Sequence, residues 1–334
     1  MKEYRIIDYS IEYQQKLKDF LRLHNPSFSD TYIDFLVDNA WDENHEDPAI
    51  LVIDEDNNIV GEHLFFYTKA RINGVEKKIH WSHDTFLEES ARRYAGLDFM
   101  LKIYSRDNCV GIGLSEISKK ITRKTKGVYW ADIYKYFIFN RYIFFATIKQ
   151  LLGIKPSLHF RQQEKIGIKG ATFRLGSNIH DIKIPNAGYW GDGSYDIEFI
   201  RDENYINKRF FNNPVFHYDV LILETSGEYD EAYFVVRPII YKGFKALCIV
   251  DYRFNTHKED QLKLLLKAAS MLARRNQCGF LFFVASDTFV YRLLRDNPMV
   301  IKRKGTFTMP KYKIDKNKFD VIATIADPDG DYHL

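Results

Sequence analysis

The alternation of apolar and polar positions lays out strands and helices along the first 140 residues. "EYRIIDYS" reads as a strand. "YQQKLKDFLRLHN" and "SDTYIDFLVDNAW" repeat their apolar residues at helical spacing, the second with Ser29 or Asp30 placed to cap it. "PAILVID" is a strand leading into Asp54, Glu55, Asp56 and Asn57, residues that suit a turn. "IVGEHLFFYTKARI" and "KKIHWSHDTFL" flank Asn73-Gly74, a hairpin signal. "LEESARRYAGLDFMLKI" then supplies a helix from about Gly96, followed by the short strand "CVGIGLS", a polar helix and a strand around "VYWADIYKYFIF". The predicted order is β-α-α-β-β-β-α-β-α-β.

Residues 141 to 195 hold a helix, the stretch "GIKPSLHFRQQEKIGIKGATFRLGSN" and the Gly-rich turn "NAGYWGDGSYD". Their aromatic and aliphatic content makes them a packed connector, not a free linker. From residue 196 the rhythm returns. "FIRDENYINKRFFNN" is a helix, "YDVLILET" a strand, and "EAYFVVRPIIYKGFKALCIVDYRF" a hairpin turning at Lys242-Gly243. "KEDQLKLLLKAASMLARRNQC" is a long amphipathic helix, "GFLFFVAS" a buried strand and "DTFVYRLLRDN" another helix, and two more strands end the chain. The expected fold class is α+β, in two similar halves of residues 1–140 and 196–334 joined by the connector 141–195. Each half is a mixed, mostly antiparallel sheet flanked by helices.

Composition narrows the setting. A chain of 334 residues suits two domains or two equivalent halves, and 46% hydrophobic residues can fill their cores. Its 22 tyrosines and 26 phenylalanines are numerous enough that some are expected to line a pocket. A net charge of +3 does not argue for nucleic acid. Cys109, Cys248 and Cys278 show neither metal spacing nor a disulfide framework, which fits a reducing, cytoplasmic setting. "MKEYRIIDYS" lacks the apolar run of a signal peptide. The greasiest segment, "YFIFNRYIFFATIKQLLGI", is broken by Asn140, Arg141 and Lys149, so it reads as a strand and a buried helix, and no membrane partner is expected.

Candidate chemistry gathers at the corner after "IHWSHDTFL". A strand opening into a helix through small residues exposes unsatisfied backbone N–H groups at the positive end of the helix dipole, which makes an anion site. Ala95 and Gly96 would let a phosphate approach the backbone, with Arg92 and Arg93 adding charge. A solvated arginine pair at a helix start is the other reading of the same residues.

Strand, "RRYAGL", apolar helix and then "GIGLSEISKKITRKTKGV" resemble the GNAT acyltransferase superfamily. Its signature after strand four, Arg/Gln-x-x-Gly-x-Gly/Ala, holds the pyrophosphate of acyl-coenzyme A. Arg92 takes the Arg/Gln place, Ala95 stands where the first Gly is usual, and Leu97 where the second small residue is usual. The resemblance implies acetyl-CoA or another acyl-CoA as co-substrate, with Arg92, Arg93, Tyr94, Ala95, Gly96 and Leu97 at the pyrophosphate. It also implies Phe86 and Leu87 along the pantetheine arm, the Leu87 N–H facing the carbonyl oxygen, and Lys119 and Arg123 at the ribose phosphate. For the basic run that includes them, a solvated helix face is the default.

Acyl transfer from a thioester to an amine needs the reactants positioned, a proton removed and the oxyanion steadied. His83 and Asp84 are the candidate bases, and strand alternation lets only one face the substrate unless a bulge intervenes. Ser115 is a third candidate catalytic residue. The family's usual catalytic tyrosine position falls on Thr122 or Arg123, so the acid is expected from elsewhere or from solvent. Tyr189, Trp190 and Asp192 are the candidate acceptor site, expected at the seam between halves. Asp327, Asp329 and Asp331 lack the later ligands of a calcium loop, so no metal is expected. They read as a turn of exposed carboxylates or as an amine-attracting patch.

The two-half layout is similar to the large GNAT proteins of bacterial polysaccharide gene clusters. That implies N-acylation of an amino sugar, nucleotide-linked, in surface polysaccharide or O-antigen assembly, by a protein that could be a homodimer. The alternatives are an aminoacyl-tRNA-dependent transferase of the peptidoglycan-bridge kind and a non-catalytic binding protein on a GNAT scaffold. Nucleic acid is not expected as a partner, because the basic helix has no interleaved aromatics.

Overall fold

Strand β1 (Arg5–Asp8) leads into helices α1 (Gln14–His24) and α2 (Asp30–Val37). Ser29 caps α2 by accepting the Tyr32 N–H on its side chain. Strands β2 (Ala49–Ile53), β3 (Ile59–Ile72) and β4 (Val75–Leu87) follow. Asn73 and Gly74, at φ 49° and 78°, supply the left-handed pair that closes the β3–β4 hairpin. Helix α3 (Glu89–Ser105) runs back to β5 (Cys109–Ile112), and β6 is Val128–Ile138.

Further along come α4 (Phe144–Leu151), β7 (Lys165–Ile168), β8 (Ala171–Leu175) and β9 (Ile197–Phe199). The one-turn α5 (Glu203–Ile206) widens into a π-helical turn to Phe211, and β10 (Asp219–Thr225) follows. Lys242 and Gly243, at φ 51° and 83°, close the hairpin of β11 (Glu228–Tyr241) and β12 (Phe244–Arg253). The chain continues through α6 (Glu259–Arg275), β13 (Phe280–Ala285), α7 (Thr288–Leu294), β14 (Val300–Pro310) and β15 (Val321–Ile322). This is a computed structural model, and it describes residues 3–38, 47–106, 108–112, 120, 128–139, 141–157, 159–168, 170–184, 188, 195–225, 228–254, 259–310 and 321–327.

The chain divides into two units, residues 1–70, 76–131 and 306–314 in the first and residues 71–75, 132–305 and 315–334 in the second. In the first, the strand order is β1-β2-β3-β4-β5, and β5 pairs on its other edge with Phe307 and Thr308 of β14. In the second, it is β7-β8-β10-β11-β12-β13-β6. Each unit repeats one device: a hairpin, a 17-residue helix and a strand parallel to the one before the helix, β4 with β5 and β12 with β13. The expected α+β class with two units is therefore present, but with other bounds: residues 132–140 fall in the second unit and residues 306–314 in the first.

Three local expectations need correction. The stretch read as a connector contains the β7–β8 hairpin, which extends the second unit's sheet beyond β10. Helix α4, expected to be buried, buries none of its residues. Helix α3 starts at Glu89, not near Gly96, because Ala91, Ala95, Phe99 and Ile103 form a stripe at four-residue spacing that packs on Ile50, Val52, Phe65 and Tyr67.

The second unit also holds a buried ionic knot. Arg201 donates from Nε to Asp251 at 2.9 Å and pairs with Asp327 at 2.6 Å, while Arg253 lies 3.3 Å from Asp251. Tyr233 and Thr324 hydroxyls donate to the same Asp251 at 3.1 and 2.8 Å. Asp327, expected in a turn of exposed carboxylates, is thus a buried structural partner, whereas Asp329 and Asp331 lie outside the described residues.

Candidate active site

Strands β4 and β5 pair in parallel at His80–Cys109 and Trp81–Val110, and among the described residues the pairing stops there. β4 runs on to Leu87, while Gly111 and Ile112 of β5 pair with Thr308 and Phe307. Among the described residues, β4 from Ser82 onwards has no ladder partner on β5, and residues 113–119, which follow β5, lie outside them.

The end of β4 carries one extra residue. His80 packs its ring 4.8 Å from Tyr67, and Leu87 packs against the cluster formed by Tyr67 and the apolar stripe of α3, so both face α3. Seven positions separate them. Strict alternation would send residues an odd number apart to opposite faces, so a β-bulge lies between them. The neighbours locate it. His83 Nε2 is 3.1 Å from the Tyr32 hydroxyl on α2, and Asp84 accepts from Asn25 Nδ2 at 3.2 Å, at the end of α1. Thr85 turns back to His63, with its hydroxyl 2.6 Å from Nδ1. Sequence alternation allowed one of His83 and Asp84 on the substrate side; the bulge places both towards the α1–α2 segment.

The surroundings fix these two side chains differently. Phe66 meets the His83 ring edge-on at 4.8 Å, whereas Asp84 also accepts the Thr85 N–H at 2.8 Å. Both are half-buried, so solvent still reaches them. His63 is different: burial, and then the neighbouring His83 and Arg106, push its pKa down to about 3, so it stays neutral at ordinary pH. Phe86 stacks on His24 at 4.3 Å and meets Phe20 edge-on at 5.8 Å, which anchors the strand end to α1.

Glu62 on β3 is fully buried, and among the described residues neither carboxyl oxygen has a hydrogen-bond partner. Burial, reinforced by the negative Asp84, holds its pKa well above the ordinary carboxylate range; the Phe86 N–H pulls the other way without meeting hydrogen-bond geometry. A carboxyl with a raised folded-state pKa favours the fold at low pH, and that contribution fades as pH rises above its unfolded value. Glu62→Gln keeps the shape and removes the ionisation. We expect it to flatten the fall in stability as pH rises above the ordinary carboxylate range and to make the protein more stable than wild type at alkaline pH, read by denaturant unfolding.

Gly61, beside Glu62, leaves room for the strand end. A Cβ there would lie 2.5 Å from Leu87 Cδ1 and 3.1 Å from the Phe86 carbonyl oxygen. Gly61→Ala is expected to cost about 1–3 kcal/mol by overpacking and to displace the end of β4. Denaturant unfolding alongside an activity assay measures both effects.

The amides that the sequence reading assigned to a phosphate lie inside a helix. Ala91 and Arg92 donate their N–H groups to the Glu88 carbonyl, and residues from Arg93 onwards lie within the helix ladder. The amides of Ala95, Gly96 and Leu97 are therefore internal, and the Ala95 side chain is buried in the core. Arg92 donates from Nε to the Leu87 carbonyl at 2.7 Å, clipping the strand end, while Arg93, Tyr94 and Leu97 face solvent. Helix geometry leaves the first-turn amides of Glu89 and Ser90 without an internal partner, beside the carboxylates of Glu88 and Glu89, which oppose an anion. Ser115, Lys119, Arg123, Tyr189, Trp190 and Asp192 lie outside the described residues. Tyr32, Asn25, Glu62 and His63 were not singled out in the sequence; the available signal was the ionisable pair Glu62-His63 inside the apolar strand "IVGEHLFF".

No protein-family model matches the chain, and no curated protein matches its sequence. Solved structures do match its fold. A GCN5-related N-acetyltransferase from Anabaena variabilis superposes with a TM-score of 0.54 at 10% identity, over 91% of this chain and 72% of the other. A conserved protein of unknown function from Enterococcus faecalis V583, described as a probable N-acyltransferase, gives 0.58 at 10% identity, over 92% and 72%. Saccharomyces cerevisiae N-myristoyltransferase with bound myristoyl-CoA and inhibitors gives 0.56 at 9% identity, over 95% and 84%. At these identities the likeness concerns architecture. The chain has the mixed α+β, two-domain fold of the GNAT type.

Proposed function

We propose that the chain is an acyl-CoA-dependent N-acyltransferase whose chemistry takes place in the first unit, at the end of β4. One observation carries this reading: near the end of β4, a bulge turns His83 and Asp84 to the same side, towards α1 and α2. The half-buried end of β4 suits the thioester arm of an acyl-coenzyme A, and the neighbouring pair suits removal of a proton from an attacking amine. The fit ends there, since the diphosphate must be held by groups other than the amides of Ala95 to Leu97.

In this reading His83 is the general base, with the Tyr32 hydroxyl fixing its ring through Nε2. Asp84, held by Asn25 and the Thr85 N–H, attracts and orients the ammonium form of the acceptor. The Leu87 N–H is the candidate donor to the developing oxyanion. The neutral amine attacks the thioester carbonyl, the C–S bond breaks, and the proton that the nitrogen gives to His83 passes on to the departing thiolate, releasing the coenzyme thiol.

For the acceptor we propose the amino group of a nucleotide-linked amino sugar, a reading that rests on the sequence resemblance. The experiment is thiol release from acetyl- to myristoyl-coenzyme A, with a panel of amines that includes such sugars. We expect release that depends on both an acyl-CoA and an amine. No release from any acyl-CoA, or transfer only from aminoacyl-tRNA, would refute the proposal.

A further inference from the structure

Helix α4 lies against the second unit with its polar side inward. Thr147 donates to the Gly279 carbonyl, Gln150 donates to the Gln277 carbonyl at 2.9 Å, and the Gln150 side-chain oxygen accepts the Lys245 N–H at 2.8 Å. The apolar side faces out. Phe144, Phe145, Ile148, Leu151 and Leu152 are 52%, 77%, 37%, 67% and 74% exposed. With about 100° of turn per residue, these positions share an arc of roughly 120°. Water is a poor solvent for such a stripe, and contiguous exposed apolar patches mark contact surfaces.

Charge indicates what it contacts. From Arg141 to Ser157 the chain has Arg141, Lys149 and Lys155 and no acidic residue. Beside the stripe lies a cavity of about 180 Å³ lined by Phe145, Ile154, Lys149, Lys155 and Arg274. Cations over apolar side chains match a phosphate headgroup above an acyl chain. A second copy docked through the same face would set cation against cation. Among the described residues no helix is long and apolar enough to cross a membrane, so this element could only lie along one.

We infer that α4 is a peripheral membrane anchor, its apolar stripe entering the surface of an anionic phospholipid bilayer and Lys149, Lys155 and Arg274 meeting headgroup phosphates. The sequence reading, which took this helix as buried, expected no membrane partner. The inference is independent of the proposed acyl transfer.

Flotation of the full chain with vesicles tests it. The chain should float with phosphatidylcholine vesicles containing about 30% phosphatidylglycerol, at least about tenfold less with phosphatidylcholine alone, and less as salt rises. Phe145→Asp with Leu152→Asp should abolish flotation. Lys149→Glu with Lys155→Glu should reduce it about tenfold or more. All four residues are exposed, so unchanged melting of both variants confirms intact folds. Absence of flotation on the anionic vesicles, or flotation indifferent to Phe145→Asp with Leu152→Asp, overturns the inference. So does a wild-type dimer in light scattering that this variant breaks without any vesicle binding.

Discussion

His83→Ala should slow acyl transfer by about 10²- to 10⁴-fold, the range typical for loss of a general base. The expectation follows from position. His83 lies at the bulge near the end of β4, half-buried, with its Nε2 held 3.1 Å from the Tyr32 hydroxyl. Removing the imidazole leaves a solvent-reachable gap beside Phe66, not a cavity in the main core, so unfolding should change little. Asp84→Asn is the informative partner. If Asp84 orients the ammonium, this variant should weaken acceptor binding more than turnover, raising KM with a smaller fall in kcat. Thiol release at saturating acyl-CoA separates the two. A His83→Ala enzyme within about threefold of wild type would remove histidine from the mechanism.

The second large effect concerns stability. Asp251→Ala is expected to cost about 3–5 kcal/mol, because it leaves Arg201 and Arg253 buried without their shared carboxylate. Burial alone would raise the Asp251 pKa, but the two guanidiniums, helped by the Thr324 hydroxyl, lower it to about 2. A depressed carboxyl pKa stabilises the fold above its unfolded value and loses that contribution as pH falls through the folded one. Asp251 should thus contribute on the order of 2 kcal/mol that disappears between about pH 4 and 2. Asp327, whose carboxyl burial raises despite Arg201, works in the opposite sense and favours the fold at low pH. Denaturant unfolding of wild type and Asp251→Ala at neutral and acid pH checks both magnitude and sign. Near-equal stabilities at neutral pH would mean that the knot contributes little.

Much of the fold was legible because its signals are local. Asn73-Gly74 and Lys242-Gly243 marked hairpins through their left-handed backbone, and Ser29 marked the start of α2. The start of α3 was misread for the opposite reason. Small residues and arginines at 92–97 look like a loop, whereas Ala91, Ala95, Phe99 and Ile103 meet the sheet only once its strands are assembled. The exposed face of α4 was equally hidden. Its apolar residues invite a buried assignment, and only the contacts of Thr147 and Gln150 reveal which side faces inward. At the candidate site, His83 and Asp84 stood out by chemistry. The bulge that aligns them, and the partners Tyr32, Asn25 and Glu62, depend on strand register and on residues distant in the chain.

The most direct test is backbone hydrogen exchange of the intact protein with and without acyl-coenzyme A. If the end of β4 receives the thioester arm, exchange should slow over Ser82 to Leu87 on adding the ligand, and Gly61→Ala should weaken that protection. Unchanged exchange over this stretch at saturating ligand, with protection elsewhere or nowhere, would contradict the account.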